Sequence, residues 1–290
     1  MTGGPLVGVV VLTQGRRPDD LDRAVRSVLA QRDVRTDVVV VGNGWQPTGL
    51  PDGVAALGLP ENLGIPAGRN AGVPHVSGDL LLFLDDDATL TDPGFLAEAV
   101  RRFAADARLG LLQPRVDGPG GVPGPRRWTP RMRVGDARRS SAAFSVWEGA
   151  VVVRRGVFDR AGGWPAPFFY AHEGIELAWR VWDTGATVRY AGDLAVEHPI
   201  TFTTRHADFF RLNARNRVWL ARRNLPWVFA VPYVLSWTAI QVARSLRTPA
   251  TLRPWLGGWW EGWRIEAGPR RPLRWNTVLR MAGHGRPPVI

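Results

Sequence analysis

Leu80-Leu81-Leu82-Phe83-Leu84 is a continuous apolar run that stops abruptly at Asp85-Asp86-Asp87. An apolar run of this length is typical of a strand buried on both faces of a sheet. Three adjacent carboxylates at its end repel one another and raise one another's pKa unless a cation lies among them. Oxygen ligands favour Mg²⁺ or Mn²⁺, shared with the phosphates of a nucleotide. A solvated acidic turn, or a helix N-cap made by Asp87 or Asp92, is the alternative.

The segments around this strand predict a parallel α/β arrangement. Val7 to Leu12 and Val38 to Val41 are further buried strands, and Leu21 to Leu29 between them has the apolar spacing of an amphipathic helix. A strand, a helix and a strand in succession imply a parallel pair with a right-handed crossover. Pro93 to Phe103 predicts another helix, with proline in its first turn. Three parallel strands with loops at their carboxyl ends form a nucleotide-binding α/β half.

The next part of the chain is less regular. The Gly-, Pro- and Arg-rich stretch from Val116 to Arg139 predicts a loop. Strands are predicted over Ala150 to Val153 and Ala186 to Tyr190, and helices over Glu173 to Trp182 and Asp208 to Asn224. No internal repeat appears.

The net charge of +11 is unevenly distributed. From Pro199 onward there are 15 Arg against 3 acidic residues, together with 8 of the 14 Trp, whereas the first 198 residues are nearly neutral. Arg and Trp together favour an anionic membrane surface as partner, and we expect no nucleic acid. Leu225 to Ala243 is apolar, but Pro226 and Pro232 favour an interfacial or re-entrant helix over a transmembrane one. A second helical subdomain or an oligomer interface is the alternative.

The chain contains no cysteine, which excludes disulfides, thiolate metal sites and thiol nucleophiles. Its first residues have neither a basic segment nor a cleavable apolar run, so we expect no secretion. With the basic region, this predicts a cytoplasmic protein attached peripherally to the inner face of the plasma membrane. The oligomeric state is not indicated.

A series of ordered motifs surrounds the aspartates. They are Glu61 to Gly72, Ser77-Gly78-Asp79, Glu148-Gly149-Ala150, Arg154-Arg155, Gly162-Gly163-Trp164, Phe168 to Arg180, Val196-Glu197-His198 and Asn213 to Pro226. Together they resemble the family 2 glycosyltransferases, including rhamnosyltransferase-like bacterial members, over most of residues 7 to 226. The resemblance implies a GT-A-type, Rossmann-like αβα sandwich with a mostly parallel central sheet over residues 1–205. A helical, basic, Trp-rich region that associates with a membrane would follow over residues 206–290.

The resemblance also implies roles for individual residues. The nucleotide sugar would be bound by Thr13, Gln14, Asn43, Arg69, Asn70, Asp85 and Asp86. The metal, Mg²⁺ or Mn²⁺, would be bound by Asp87, Asp85 and His198. The acceptor would contact Trp147 and Glu148. The family's acidic residue after the second strand is Gly42 here, so the identity of the nucleotide base stays open.

The reaction implied is inverting transfer of a sugar from a nucleoside-diphosphate sugar to a hydroxyl of a glycan, lipid-linked or in the cell envelope. A general base must take the hydroxyl proton, and the family's usual aspartate is replaced here by Gly174. We expect Glu173 to be the base, with Glu176 and His172 as alternatives. Glu176 is also spaced for an i,i+4 ion pair with Arg180.

Two other functions stay open at this point. One is a nucleotidyltransferase of similar fold, which would carry a Gly-rich loop and a basic residue directly after the first strand; Thr13 to Arg17 fits that pattern only loosely. The other is a non-catalytic protein that keeps the fold and binds an anionic membrane or nucleic acid.

Overall fold

The first part of the fold consists of parallel strands joined by helices. The computed structural model describes residues 4–130, 135–200 and 208–284. Its first elements are β1 (Leu6–Thr13), α1 (Pro18–Leu29), β2 (Arg35–Asn43), β3 (Val54–Leu59), α2 (Ile65–Gly72), β4 (Leu80–Asp85) and α3 (Phe95–Ala105). β1 lies between β2 and β4 and is parallel to both, and β3 is parallel to β2. The carboxyl ends of these strands therefore share one edge of the sheet.

The remaining strands extend the sheet, and helices complete the chain. They are β5 (Leu109–Asp117), β6 (Ser141–Ala142), β7 (Ala150–Arg154), α4 (Arg155–Ala161), α5 (Glu173–Asp183), β8 (Thr187–Glu197), α6 (Phe209–Asn224), α7 (Trp227–Ser245), α8 (Leu252–Arg264) and α9 (Trp275–Gly283). The strand order in the described residues is β3-β2-β1-β4-β7-β5-β8-β6. β7 is antiparallel to β4 and β5, β6 is antiparallel to β8, and β5 is parallel to β8.

Both faces of the sheet are covered. On β1, Val9 and Val11 pack into one core layer with α1 and α3, whereas Val10 packs into the opposite layer with α4, α5 and α6. Successive strand residues point to opposite faces, so a continuous apolar run supplies both layers. The αβα sandwich with a mostly parallel central sheet and a helical C-terminal region is confirmed.

The sequence patterns missed several elements that have weak local signals. α2 contains two glycines and a proline, residues with poor helix propensity. A Cβ at Gly68 would lie 2.6 Å from Leu12 Cδ1, and one at Gly72 would lie 2.6 Å from Val10 Cγ1. Glycine is therefore needed for the helix to approach β1. The sequence analysis also missed β3, β5, β6, α4, α8 and α9.

Three boundaries differ from those predicted. The predicted loop from Val116 to Arg139 begins inside β5, which runs to Asp117, and residues 131–134 lie outside the described ranges. The predicted strand from Ala186 to Tyr190 continues as β8 to Glu197. Pro93 precedes α3 instead of lying in its first turn.

The C-terminal helices pack onto the sandwich. Val218, Trp219 and Ala221 of α6 belong to the same core cluster as Leu177 of α5. The two helices predicted for this region are confirmed as α6 and α7. Among the described residues, no helix combines the length and hydropathy needed to cross a bilayer. The division predicted between residues 205 and 206 falls outside the described ranges and stays a prediction.

Glu176 joins the C-terminal helices to the sandwich. Its carboxylate accepts hydrogen bonds from Arg223 Nη2 at 2.8 Å and Asn224 Nδ2 at 2.8 Å, both on α6. The predicted i,i+4 ion pair with Arg180 is wrong, because Arg180 donates instead to the carbonyls of Arg223 and Arg271. The carboxylate of Glu176 is thus held by α6, so its geometry indicates a structural role.

We expect Glu176→Ala to lower the free energy of unfolding by about 3–5 kcal/mol, because it leaves the largely buried Arg223 without its counter-charge. The measurement is urea denaturation. Glu98→Ala is the control, because Glu98 makes ion pairs on the surface of α3 whose loss costs less than about 1 kcal/mol. Equal stability of Glu176→Ala and the wild type, with transfer activity abolished, would contradict the structural role.

Candidate active site

A cleft of about 440 Å³ opens at the carboxyl ends of β1, β2 and β4. Five residues predicted to bind the nucleotide sugar line it: Thr13, Gln14, Asn43, Asp85 and Asp86. Its wall also includes Arg17, Asp87 and Tyr170. Parallel topology explains this convergence, since the strand ends meet at one edge.

Asp86 and Asp87 are balanced by a basic residue that the sequence analysis did not assign to the site. Arg17, directly before α1, forms ion pairs with both carboxylates. Thr13 Oγ1 donates to Asp86 Oδ2 at 2.6 Å. Burial raises the pKa of Asp86 to about 6, although Thr13 and Arg17 act against this rise. A basic residue in the turn after β1 was the available signal for Arg17.

A metal-ligand set lies beside this pair. One ligand atom each from Asp85, Asp87 and His198 can be chosen so that all lie within 4.8 Å of one another. His198 Nδ1 lies 2.7 Å from the carbonyl oxygen of Pro199, and its Nε2 lies 3.0 Å from Asp87 Oδ1. Burial disfavours the charged imidazole, but the hydrogen bond and the charge of Asp87 prevail and raise the pKa of His198. Two carboxylates and an imidazole fit Mn²⁺ or Mg²⁺.

β8 and two tryptophans position His198. Glu197, at the end of β8, exchanges backbone hydrogen bonds with Thr89, just beyond the acidic turn. The rings of Trp147 and Trp128 meet the imidazole edge-on, with centroids 4.9 Å and 5.2 Å away. Trp147, predicted to contact the acceptor, therefore also packs against His198.

Arg69 lies behind the cleft wall. It is 1% exposed and donates from Nη2 to Asp85 Oδ1 at 2.6 Å, while its Nε and Nη1 have no hydrogen-bond partner. Its charge attracts the carboxylates of Glu148 and Glu173. Arg69 does not line the cleft in this structure and balances this acidic group; its contact with a diphosphate stays a prediction.

Two of the predicted nucleotide-binding residues have their amides committed to hydrogen bonds within the protein. Asn70 donates to the carbonyl of Trp164 and accepts from its N–H, at 2.8 Å and 3.0 Å. Asn43 donates to Asn62 Oδ1 and Gly64 O and accepts from the Leu63 N–H. Asn43 thus fixes the loop that forms one wall of the cleft, and Asn70 fixes the turn beneath it.

Glu148 occupies the space where a side chain at position 174 would begin. A Cβ at Gly174 would lie 2.5 Å from Glu148 Oε1 and 2.3 Å from the Val146 carbonyl oxygen. Glu148 Oε1 instead accepts a 2.8 Å hydrogen bond from the Gly174 N–H. The carboxylate of Glu148, two residues before β7, therefore lies where a side chain at position 174 would begin.

Glu173, the predicted base, lies next to this carboxylate. It is 2% exposed, and its Oε2 has no hydrogen-bond partner. Burial, followed by the negative charge of Glu148, raises the pKa of Glu173 to about 8. Burial also raises the pKa of Glu148. An unpaired carboxylate oxygen with this pKa has the properties of a general base near neutral pH.

The loop before α5 has a strained backbone. Phe169, Ala171 and His172 have φ between 63° and 73°, a region that costs non-glycine residues about 1–2 kcal/mol each. Asn216 of α6, which is fully buried, donates to three carbonyls of this loop, those of Phe168, Tyr170 and Ala171, at 2.7–2.9 Å. The strained conformation that presents Glu173 is therefore held from the C-terminal region.

His172 faces α6. Its Nε2 lies 3.1 Å from the carbonyl oxygen of Asn213. Burial, and then the nearby charge of Arg217, lower the pKa of His172 well below its usual value. Because its Nε2 contacts a backbone carbonyl, the imidazole is less suited than Glu173 to accept a proton.

Comparison with known proteins places this site in a family. The O-antigen biosynthesis protein RfbC of Myxococcus xanthus is 28% identical over 260 residues, covering 78% of this chain and 20% of that protein. The chain thus spans about a fifth of the length of this curated relative.

Solved structures share the fold at low sequence identity. GalNAc-T7 with UDP, GalNAc and Mn²⁺ has a TM-score of 0.61 at 15% identity, covering 79% of this chain and 50% of that one. The mannosyltransferase PcManGT of Pyrobaculum calidifontis, with GDP-Man and Mn²⁺, has a TM-score of 0.55 at 18% identity, covering 99% and 78%. S. aureus TarS residues 1–349 give 0.54 at 13% identity, covering 74% and 65%.

The sequence profile of glycosyl transferase family 2 matches residues 8–162, more than half of the chain. This range contains β1 to β7 and the three consecutive aspartates. The fold of the solved structures agrees with the match. The protein belongs to glycosyl transferase family 2.

Proposed function

We propose that the protein is a metal-dependent inverting glycosyltransferase. It moves a sugar from a nucleoside-diphosphate sugar to a hydroxyl of a glycan acceptor, lipid-linked or in the cell envelope. The observation that carries the proposal is the group of Asp85, Asp87 and His198, whose two aspartates line the strand-end cleft. Family membership favours this reaction over a nucleotidyltransferase or a non-catalytic binder.

The cleft leaves the nucleotide base open. A Cβ at Gly42 would lie 2.0 Å from the Trp45 carbonyl oxygen, so position 42 has no room for an acidic side chain. Asn43 already uses its amide to fix the neighbouring loop. In our proposal the base contacts backbone groups at the end of β2 and the exposed Gln14.

Asp85, Asp87 and His198 would hold the divalent cation. When bound, the cation stabilises the negative charge that develops on the departing nucleoside diphosphate. Arg17 now pairs with Asp86 and Asp87. Its forked guanidinium is also suited to pair with phosphate oxygens when the donor enters.

In the proposed reaction, Glu173 Oε2 takes the proton of the acceptor hydroxyl. The hydroxyl oxygen forms a bond to the anomeric carbon as the bond to the diphosphate breaks, so the configuration inverts. The Gly174 N–H donates to Glu148 beside Glu173, and the charge of Arg69 limits the repulsion between the two carboxylates. In the proposal, Trp147 and Glu148 contact the acceptor.

The first test is transfer or hydrolysis with a panel of nucleotide sugars in the presence of Mn²⁺ or Mg²⁺. We expect turnover with at least one donor, and its loss in EDTA. Asp87→Ala should lower turnover at least about 100-fold, because it removes a cation ligand. Asp22→Ala, an exposed acid on α1, is the control. Turnover that is insensitive to EDTA and to Asp87→Ala would refute the metal assignment.

The second test addresses the base. Glu173 must be deprotonated to act, and its pKa of about 8 keeps it mostly protonated at pH 7. We therefore expect kcat to rise with pH, by up to tenfold per unit, and to level off near pH 8. Glu173→Gln should lower kcat by roughly 10²–10⁴-fold. Glu148→Gln should move the rising limb to lower pH, because it removes a neighbouring negative charge.

Glu61→Gln, at an exposed position near the cleft, is the control for both variants and should leave the profile unchanged. If Glu173→Gln keeps full kcat with the wild-type profile, the base is another group. Glu176→Gln would then be the next variant to assay.

We also propose that the C-terminal region rests on an anionic membrane surface. Trp227, Val228, Val231 and Leu235 on α7 are 49–62% exposed. Their spacing puts them on one side of the helix, which suits insertion at the level of the lipid headgroups. Part of the basic composition has an internal role, because Arg222 donates to three carbonyls at the end of α8. The exposed arginines of this region that make no such internal hydrogen bonds supply the electrostatic attraction to anionic lipid.

Sedimentation with liposomes tests this placement. We expect binding to vesicles of phosphatidylglycerol and phosphatidylcholine, weaker at high salt, and little binding to phosphatidylcholine alone. Val231→Glu with Leu235→Glu should weaken binding at least tenfold, since both changes put charge on the apolar face. Leu29→Glu, an exposed leucine on α1, is the control. Equal binding of both variants would exclude the α7 face.

A further inference from the structure

A second cavity, of about 250 Å³, lies between α6, α7 and α8. Its polar lining includes Arg217, Arg244, Thr248 and Thr251. No Asp or Glu lines it. It is separate from the strand-end cleft, and neither the family match nor the proposed catalytic residues assign a role to it.

Arg217 has no acidic partner. Its Nη1 donates to Tyr233 Oη at 3.0 Å, and the guanidinium lies over the ring of Trp237 at 3.8 Å. Within the described residues neither Arg217 nor Arg244 forms an ion pair, and the residues outside the described ranges include no Asp or Glu. Burial lowers the pKa of Arg217, and the charge of Arg244 lowers it further. A cation desolvated without a counter-charge is costly, so this site is complementary to an anion.

Neighbouring arginines on the same helix are paired. Arg211 and Arg215 share Glu261, and Arg223 holds Glu176. The absence of a carboxylate around Arg217 is thus a local property of the cavity, not of the whole basic region.

A further donor in the cavity lacks an acceptor. The indole Nε1 of Trp237 is buried without a hydrogen-bond partner. Among the described residues the indole N–H groups of Trp164, Trp219, Trp259 and Trp263 are also buried without a partner, so the Trp237 donor adds to this site only beside the guanidinium groups. Together with the two guanidinium groups, it matches a group that carries several acceptor oxygens.

The rest of the wall is aromatic. Phe209 and Phe210 at the start of α6, and Trp255 of α8, line the cavity. Aromatic walls beside cationic donors suit a charged head that is joined to an apolar chain. Trp237 and Arg244 lie on α7, the helix that also carries the exposed apolar side chains.

We propose that this cavity binds a phosphate group, as a monoester or a diphosphate, on an amphiphilic molecule. Arg217 and Arg244 pair with the phosphate oxygens, Trp237 donates its indole N–H, and the phenylalanines contact the first carbons of the chain. An inorganic phosphate offers the same oxygens without the chain, and the test separates these two sources.

The cavity adjoins the proposed catalytic site. The ring of Phe209 lies 6.4 Å from that of Tyr170, which lines the strand-end cleft. Asn213, in the cavity wall, has its carbonyl oxygen 3.1 Å from His172 Nε2, next to Glu173. This step alone rests on the proposed transfer. If that transfer holds, the cavity anchors the phosphate of a lipid-linked acceptor while the sugar of the acceptor reaches Glu173.

The binding test uses the full chain in EDTA, without nucleotide sugar. Calorimetry measures the binding of decyl phosphate, inorganic phosphate, pyrophosphate and the neutral decyl maltoside. The two decyl compounds are kept below their critical micelle concentrations. We expect decyl phosphate to bind, and Arg244→Gln to weaken it at least tenfold by removing a charged donor. Trp237→Phe, which keeps a ring and loses the N–H, should weaken binding severalfold. Arg247→Gln, an exposed arginine outside the cavity lining, should change it less than twofold.

The outcomes separate the sources. Tight binding of decyl phosphate with weak binding of the inorganic ions supports a lipid phosphate, and equal binding of all three supports a soluble phosphate in the same cavity. No binding of any phosphate, equal effects of Arg244→Gln and Arg247→Gln, or decyl maltoside binding as tightly as decyl phosphate overturns the proposal. Arg244 is exposed, so its variant is expected to fold even if an Arg217 variant does not.

A kinetic test keeps this inference distinct from the proposed function. With a lipid-linked acceptor, Arg244→Gln should raise the acceptor KM at least tenfold, whereas Arg247→Gln should change it less than twofold. An unchanged acceptor KM, together with intact phosphate binding, would exclude a role of the cavity in acceptor binding. It would still support the cavity as a phosphate-binding site. Absence of turnover with every donor would refute the proposed function without touching the binding result.

Discussion

The site depends on a balance of charge at one end of the sheet. Carboxylates meet there because parallel strands end together, and in a partly buried place their repulsion would oppose folding. Arg17 and His198 balance Asp86 and Asp87 on the open side. Arg69 alone balances the group behind the wall. On the open side, Arg17 and His198 could thus exchange partners when a donor and a metal bind. On the buried side, Glu173 has a carboxylate oxygen without a hydrogen-bond partner among the described residues.

The two sides are joined through the loop before α5. The carbonyls of Phe168, Tyr170 and Ala171, in and beside its left-handed residues, are held by Asn216, which belongs to a helix that follows the sandwich in sequence. Strain of this kind persists where the surrounding structure over-determines it. The buried pair of Glu176 and Arg223 fixes the same helix against α5. Helix α6 is therefore part of the apparatus that presents Glu173.

Long apolar runs and strand-end motifs allowed prediction of the central strands and of the residues that line the cleft. These features are local, since a buried strand and its last residue are read from a few neighbours. The helix α2 was not predictable from propensity, because its glycines serve contact with β1. The groups that these buried carboxylates contact were not predictable either. Glu176 finds Arg223 across 47 positions rather than Arg180 at four, and Glu148 fills the space left at Gly174.

Because Asn216 of α6 is hydrogen-bonded to the loop at residues 168–172, the loop and the helix have to come from the same protein. A recombinant that joins the sandwich of one relative to the C-terminal helices of another would separate three carbonyls from the amide that matches them. Exchange of C-terminal regions between relatives therefore has to carry this loop along with the helix. The crossover point belongs before Phe168, inside the sandwich, and not at the chain segment where the two regions meet.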